Sequence, residues 1–177
     1  LDVGCGSGRV SLVLAREFPK AQAVGLDLDA ASIARARANA EAEGLAERVR
    51  FVQQPLAALD DPAPFDLITA FDCVHDFAEP VAVLREIERR LAPEGTLLVI
   101  EPKVADRLED NRHPIATMFY GFSLLHCMTQ SLARGGAGLG ACLGPARTEA
   151  LLRQAGFTRI ERLEIKSPVN LFYAVGH

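Results

Sequence analysis

The sequence has no tryptophan, only two methionines and only four cysteines in 177 residues. Cys5, Cys73, Cys127 and Cys142 are scattered without a C-x-x-C pair, so the spacing encodes neither a zinc module nor a disulfide framework. A reducing, cytoplasmic setting is the resulting expectation. A basic excess is missing as well. The 19 basic and 23 acidic residues leave a net charge of −4, which excludes a dedicated nucleic-acid or acidic-membrane surface. No secretory signal is present, and no apolar run reaches the roughly 18 residues of a membrane span.

The remaining composition, 49% hydrophobic and 24% charged, is that of an ordinary globular chain. Its length reads as one domain over residues 1–177. The chain starts at Leu1, inside what reads as the end of a strand. A segment is therefore expected upstream.

Strands and helices alternate. Residues 1–3 end a strand, and residues 4–8 form a glycine-rich turn. A helix from Arg9 carries Val10, Val13, Leu14 and Phe18 on one face and stops before Pro19. Residues 23–28 form a buried strand, and Asp29 caps an alanine-rich helix that ends at Gly44. Residues 49–52 and 65–71 read as strands, with Pro55 and Pro62 breaking the loop between them. Val83, Leu84, Ile87 and Leu91 lie at helical spacing, and the turn Ala92-Pro93-Glu94-Gly95 leads into a strand over residues 96–100. This rhythm implies βαβ units, right-handed crossovers and a mostly parallel sheet. Beyond Pro102 come a polar stretch, an apolar helical stretch over 115–132 and a flexible glycine loop over 135–140. A helix over 146–155 and a final hairpin of residues 157–165 and 170–175 complete the chain.

Leu1-Asp2-Val3-Gly4-Cys5-Gly6-Ser7-Gly8 sets three glycines between a strand and a helix. Such a turn lets a ligand lie against the backbone at the carboxyl end of a sheet. The spacing is G-x-G-x-G, and Arg9 stands where a dinucleotide fingerprint needs its third glycine. That weighs against a nicotinamide cofactor. Asp27 ends the second strand, about 20 residues on, where a carboxylate can accept both ribose hydroxyls. Leu28 beside it offers an apolar face for a purine ring.

These residues resemble the first motif of class I S-adenosylmethionine-dependent methyltransferases. The likeness continues through Val24-Gly25-Leu26-Asp27, residues 65–71, Pro93-Glu94-Gly95 and Ala155-Gly156-Phe157. It implies an α/β, three-layer Rossmann-like sheet of seven strands with an antiparallel last strand. It also implies S-adenosylmethionine as cofactor, leaving as S-adenosylhomocysteine. The backbone at Gly4, Cys5, Gly6 and Gly8 would hold the methionine portion, with Asp2 near its amino group. Asp27 would bind ribose, Leu28 would pack on adenine, and the carbonyl near Phe71 would face the methionine end. Where such enzymes often carry a Gly-Asp pair, this chain has Gln53-Gln54-Pro55-Leu56. Pro55 stands where that acid is expected; a glutamine oxygen, as at Gln54, would replace it as acceptor, and Leu56 would still offer its backbone N–H to adenine.

Methyl transfer needs alignment and proton removal, without a metal or a covalent nucleophile. His75, in Asp72-Cys73-Val74-His75-Asp76-Phe77, follows the fourth strand and is the candidate base. His75-Asp76-Phe77 resembles the His-Asp-Trp stretch of small-molecule O-methyltransferases. The plainer alternative is a histidine that only lines the pocket. Asp76 either orients the imidazole or caps a helix. Met118, Tyr120, Phe122 and His126 lie in an apolar insertion where this superfamily builds its acceptor pocket.

The stretch from Arg107 to the glycine loop also resembles a bacterial group with an N-terminal winged-helix domain. That domain would lie in the missing part and would make homodimer contacts. The expected activity is methylation of a small aromatic or apolar compound on oxygen, with no nucleic-acid or membrane partner. A non-catalytic ligand-sensing module and an NAD-dependent oxidoreductase are the alternatives.

Overall fold

A computed structural model describes residues 1–61 and 64–177. Pro62, read as a loop breaker, lies outside the described residues. The seven strands are β1 Asp2–Val3, β2 Ala23–Asp27, β3 Val49–Gln53, β4 Phe65–Phe71, β5 Leu91–Pro102, β6 Arg159–Leu163 and β7 Asn170–Gly176. They form one sheet in the order β3-β2-β1-β4-β5-β7-β6. Pairing is parallel except at β7, which runs antiparallel to both β5 and β6. The reversed last strand is thus an interior strand, and β6 forms the edge.

The helices are α1 Arg9–Glu17, α2 Ala30–Ala42, α3 Pro80–Arg90, α4 Pro114–Phe122, α5 Met128–Ala133 and α6 Pro145–Ala155. From β1 the chain steps outward to β2 and β3, then returns to the other side of β1 for β4 and β5. Right-handed crossovers in opposite directions put α1 and α2 on one face of the sheet and α3 on the other. The reversal between β1 and β4 opens a crevice at their carboxyl ends. Among the described residues, no helix is long and apolar enough to cross a membrane.

Three local expectations need correction. The buried face of α1 is Ser11, Leu12 and Ala15, while Val10, Val13 and Leu14 are half-buried and Phe18 is exposed. Small Ser11 and Ala15 let the helix approach the sheet closely, and Leu12 fills the space against Ile33, Ala36 and Phe51. Pro93-Glu94-Gly95 is a bulge within β5, because Phe65 pairs with Leu91 whereas Leu67 pairs with Thr96. The glycine loop is pinned rather than loose. Ala137 N–H donates to the Ala78 carbonyl, Gly138 N–H to Ser131 Oγ and Ala141 N–H to Ser123 Oγ. Between α4 and α5 the helix continues as a π turn over Ser123–Cys127, a local widening of the kind often found at functional sites.

Candidate active site

The glycine turn is built by position-specific backbone demands. Gly4, Gly6 and Gly8 all have positive φ, at 71°, 52° and 82°. A Cβ on Gly8 would stand 2.4 Å from Phe51 Cζ, whereas one on Gly6 would meet nothing within 4 Å. Gly8 is therefore a packing and turn glycine under α1. Cys5 N–H donates to the Leu26 carbonyl, tying the turn to β2.

Asp27 fixes the turn from the other side. Its Oδ2 accepts from Gly6 N–H at 2.9 Å and its Oδ1 from Asp29 N–H at 2.9 Å. Each carboxylate oxygen keeps further acceptor capacity, since ionised Asp offers about four lone-pair sites. Asp29 in turn caps α2 by accepting from Ser32 N–H at 2.8 Å, and this holds its own carboxyl below the ordinary value.

A cleft of about 540 Å³ opens at the carboxyl ends of β1, β2 and β4. Gly4, Asp27, Leu28, Gln54 and Leu56 all line it, as do Asp72, Cys73 and Asp76 from beyond β4. Leu28 is 51% exposed there. Asp72 has a φ of 55°, the one positive value among the described non-glycine residues, a conformation that tends to cluster at functional sites.

Several expected ligand residues do not line this cleft. Asp2 is buried beneath the turn and accepts from Thr69 Oγ1 at 2.7 Å and from Ser11 Oγ at 2.8 Å. Burial raises its carboxyl above the ordinary value, against those two hydrogen bonds. Asp2, Cys5, Gly6, Gly8 and Phe71 are not among the residues lining the cleft. Burial, then the Asp2 and Asp27 charges, push the Cys5 thiol up to about 12, so it stays an inert thiol in the core.

His75 lies on the short 3-10 turn Val74–Asp76 and is 2% exposed. Its Nδ1 is 2.6 Å from Glu101 Oε2, and Glu101 Oε1 accepts from Val74 N–H at 3.1 Å. With Glu101 as acceptor, Nδ1 carries the proton and Nε2 has the lone pair of the neutral ring. Burial alone would lower the imidazole pKa. The Glu101 hydrogen bond and charge, then Asp76 and Asp72, outweigh it and raise the value above 6.5. His75 Nε2 faces Asp76 Oδ1 at 3.6 Å.

Glu101 was not singled out in the sequence, although an acid ending the apolar run of residues 96–100 is a place where charge is rarely buried without a partner. Cys127, brought close to this group by the π turn, has no comparable signal.

The expected acceptor residues are not assembled around His75. Met118 and Phe122 are 44% and 56% exposed, and His126 is exposed as well. Tyr120 accepts from Asn111 Nδ2 at 3.2 Å and lines a separate shallow hollow with His113. None of the four lines the cleft. The outward stripe of this helix is apolar, so hydrophobicity alone did not reveal its inner face.

A family model described as a methyltransferase domain matches residues 1–137. The ubiquinone biosynthesis O-methyltransferase of Pseudomonas aeruginosa is 28% identical over 173 residues, covering 98% of this chain and 67% of that protein. Mitomycin 7-O-methyltransferase matches in structure with a TM-score of 0.76 at 23% identity, over 99% of this chain and 48% of its own. An O-methyltransferase from neocarzinostatin biosynthesis, solved with S-adenosyl-L-homocysteine and 1,4-dihydroxy-2-naphthoic acid, gives 0.72 at 22% identity. That match covers 99% of this chain and 48% of the other. The chain thus spans about half the length of the solved structures it matches. Those two likenesses establish the shared sheet architecture.

Proposed function

The chain belongs to the methyltransferase-domain family, with the class I S-adenosylmethionine-dependent fold, and from that premise we propose that it methylates an oxygen of a small aromatic or apolar acceptor. The observation that carries this reading is the buried His75–Glu101 pair, which does not itself line the cleft but adjoins Asp76, a lining residue together with Gly4, Asp27 and Leu28. The cleft suits a sulfonium nucleoside. Asp27 has lone pairs left for two ribose hydroxyls, exposed Leu28 offers a face to adenine, and Gln54 and Leu56 border the same space. Gly4 lines the cleft with its backbone, having no side chain, and a Cβ added there would sit tightly, 3.0 Å from Cys73 Cβ. When bound, S-adenosylmethionine supplies the activated methyl group.

The chain's own residues then align the acceptor and remove its proton. His75 Nε2 takes the hydroxyl proton. Glu101 holds the ring through Nδ1 and stabilises the imidazolium that forms, much as a buried carboxylate orients a histidine base in other enzymes. The relatives named for O-methylation, one of them solved with a dihydroxynaphthoic acid, support oxygen as the acceptor atom.

The test begins with calorimetric titration of S-adenosylhomocysteine against NAD, followed by a screen of phenols with S-adenosylmethionine. His75→Ala should lower turnover by about 10²–10⁴-fold for acceptors that are protonated at the working pH, and much less for ionised ones. Equal losses on both would leave His75 a positioning residue and remove the base assignment. Preference for NAD would remove the whole reading.

A further inference from the structure

We propose that His75, Asp76 and Cys127 form a binding site for a thiophilic divalent cation, with Zn²⁺ the best chemical match. One ligand atom from each residue lies within 4.8 Å of the other two. A nitrogen, a carboxylate oxygen and a sulfur are the donor types that Zn²⁺ takes, at about 2.0–2.3 Å in a tetrahedron. Bonds of that length hold neighbouring ligand atoms roughly 3.3–3.7 Å apart. His75 Nε2 and Asp76 Oδ1 already stand at 3.6 Å. Cys127 needs to close by no more than about 1.5 Å to complete the three-ligand set.

Two further features point to a cation. Asp76 Oδ1 is buried and, among the described residues, makes no close hydrogen bond; His75 Nε2 stands 3.6 Å from it and the Cys127 thiol lies against the same carboxylate, so all three donors already face one another. Glu101 accepts from His75 Nδ1 at 2.6 Å, which is the carboxylate–histidine support that fixes a metal-binding ring with Nε2 forward. Water completes the fourth position. Binding transfers the Cys127 thiol proton to solvent, together with the imidazolium proton where His75 is charged. The ion then occupies the Nε2 lone pair. On the reading of His75 as the base, Zn²⁺ is therefore an inhibitor of methyl transfer.

The site is tested with Co²⁺ as a coloured stand-in for Zn²⁺ on the intact chain. A saturable near-UV thiolate-to-cobalt band with tetrahedral visible bands, displaced by Zn²⁺, is the expected result. Cys127→Ala should abolish the thiolate band, and Asp76→Asn should keep it while weakening affinity by about tenfold or more. Absence of a saturable band, or its persistence in Cys127→Ala, overturns the site. Should that variant fail to fold, X-ray absorption at the zinc edge of the unsubstituted protein decides. One sulfur among nitrogen and oxygen ligands supports the site, and a sulfur-free shell overturns it. Zn²⁺ should also stop methyl transfer, with Cys127→Ala resistant. Spectroscopic binding without inhibition supports the site and removes the base reading, so the two failures are distinguishable.

Discussion

His75 Nδ1 lies 2.6 Å from Glu101 Oε2, and each residue is 2% exposed. The pair joins the turn after β4 to the end of β5. Burial lowers the imidazole pKa, whereas Glu101, Asp76 and Asp72 raise it by more, for a net value above 6.5. The base needs the neutral ring, so methyl transfer should fall as pH drops through that raised value. Glu101→Gln removes the negative charge and leaves burial less opposed. The acid limb of the rate profile should then move to lower pH, and the plateau should drop by roughly 10²–10⁴-fold. Profiles of both proteins, recorded with a chelator present, check this. An unmoved acid limb would mean that Glu101 merely fills space.

Gly6 and Gly8 have the same left-handed backbone and different surroundings. An L side chain in that region costs roughly 1–2 kcal/mol. Gly6→Ala should cost only this, because nothing lies within 4 Å of the added carbon. Gly8→Ala adds a collision at 2.4 Å with Phe51, itself 3% exposed, for a total of about 2–5 kcal/mol once overpacking is included. Urea unfolding of the two variants measures the difference. Equal losses would show that backbone strain alone governs both positions.

What the sequence revealed and what it hid follow from the range of the interactions. Asp29 capping, the Gly44 stop and the exact span of β4 are local and were readable. The cleft positions of Asp27 and Leu28 followed from a strand end and a fixed distance to the glycines. Asp2 looked like a ligand residue because it adjoins the turn. Its partners Ser11 and Thr69 come from α1 and β4, and the second lies 67 residues away. Glu101 meets His75 across 26 residues, a pairing set by strand adjacency that no periodicity encodes. The apolar run around Met118 and Phe122 conceals its inner face for a different reason: its hydrophobic residues face outward as well as inward.

Asp2 should matter for stability and little for the cofactor. Asp2→Ala strands the buried Ser11 and Thr69 hydroxyls and should cost about 2–4 kcal/mol, with S-adenosylhomocysteine affinity nearly unchanged. Burial raises the Asp2 pKa above 3.8. Its stabilising contribution is therefore present below that value and lost as pH rises through the folded value. Asp2→Asn keeps hydrogen-bonding capacity without ionising, so it should cost less than Asp2→Ala at neutral pH. Urea unfolding across pH and calorimetric titration test both statements. A large loss of cofactor affinity in either variant would return Asp2 to the ligand site.

Asp27 should matter for both. Its two oxygens already accept from Gly6 N–H and Asp29 N–H, each at 2.9 Å, so the carboxylate holds the glycine turn against the end of β2. Lone pairs left on the same oxygens are assigned to the ribose hydroxyls. Asp27→Ala removes both services and should weaken S-adenosylhomocysteine binding by roughly 1.5–3 kcal/mol, the usual range for hydrogen bonds to a charged group. Asp27→Asn keeps one acceptor oxygen and should lose a smaller share. The turn should loosen in parallel, at about 1–2 kcal/mol in urea unfolding of the alanine variant, because two backbone donors lose a charged partner. A ligand lacking both ribose hydroxyls separates the two effects. Its affinity should fall by clearly less than that of S-adenosylhomocysteine between the original protein and Asp27→Ala if the carboxylate acts on ribose directly, the remaining loss being that of the loosened turn. It should fall as steeply as that of S-adenosylhomocysteine if Asp27 acts only by holding the turn, and that result would take the ribose assignment away while leaving the structural one in place.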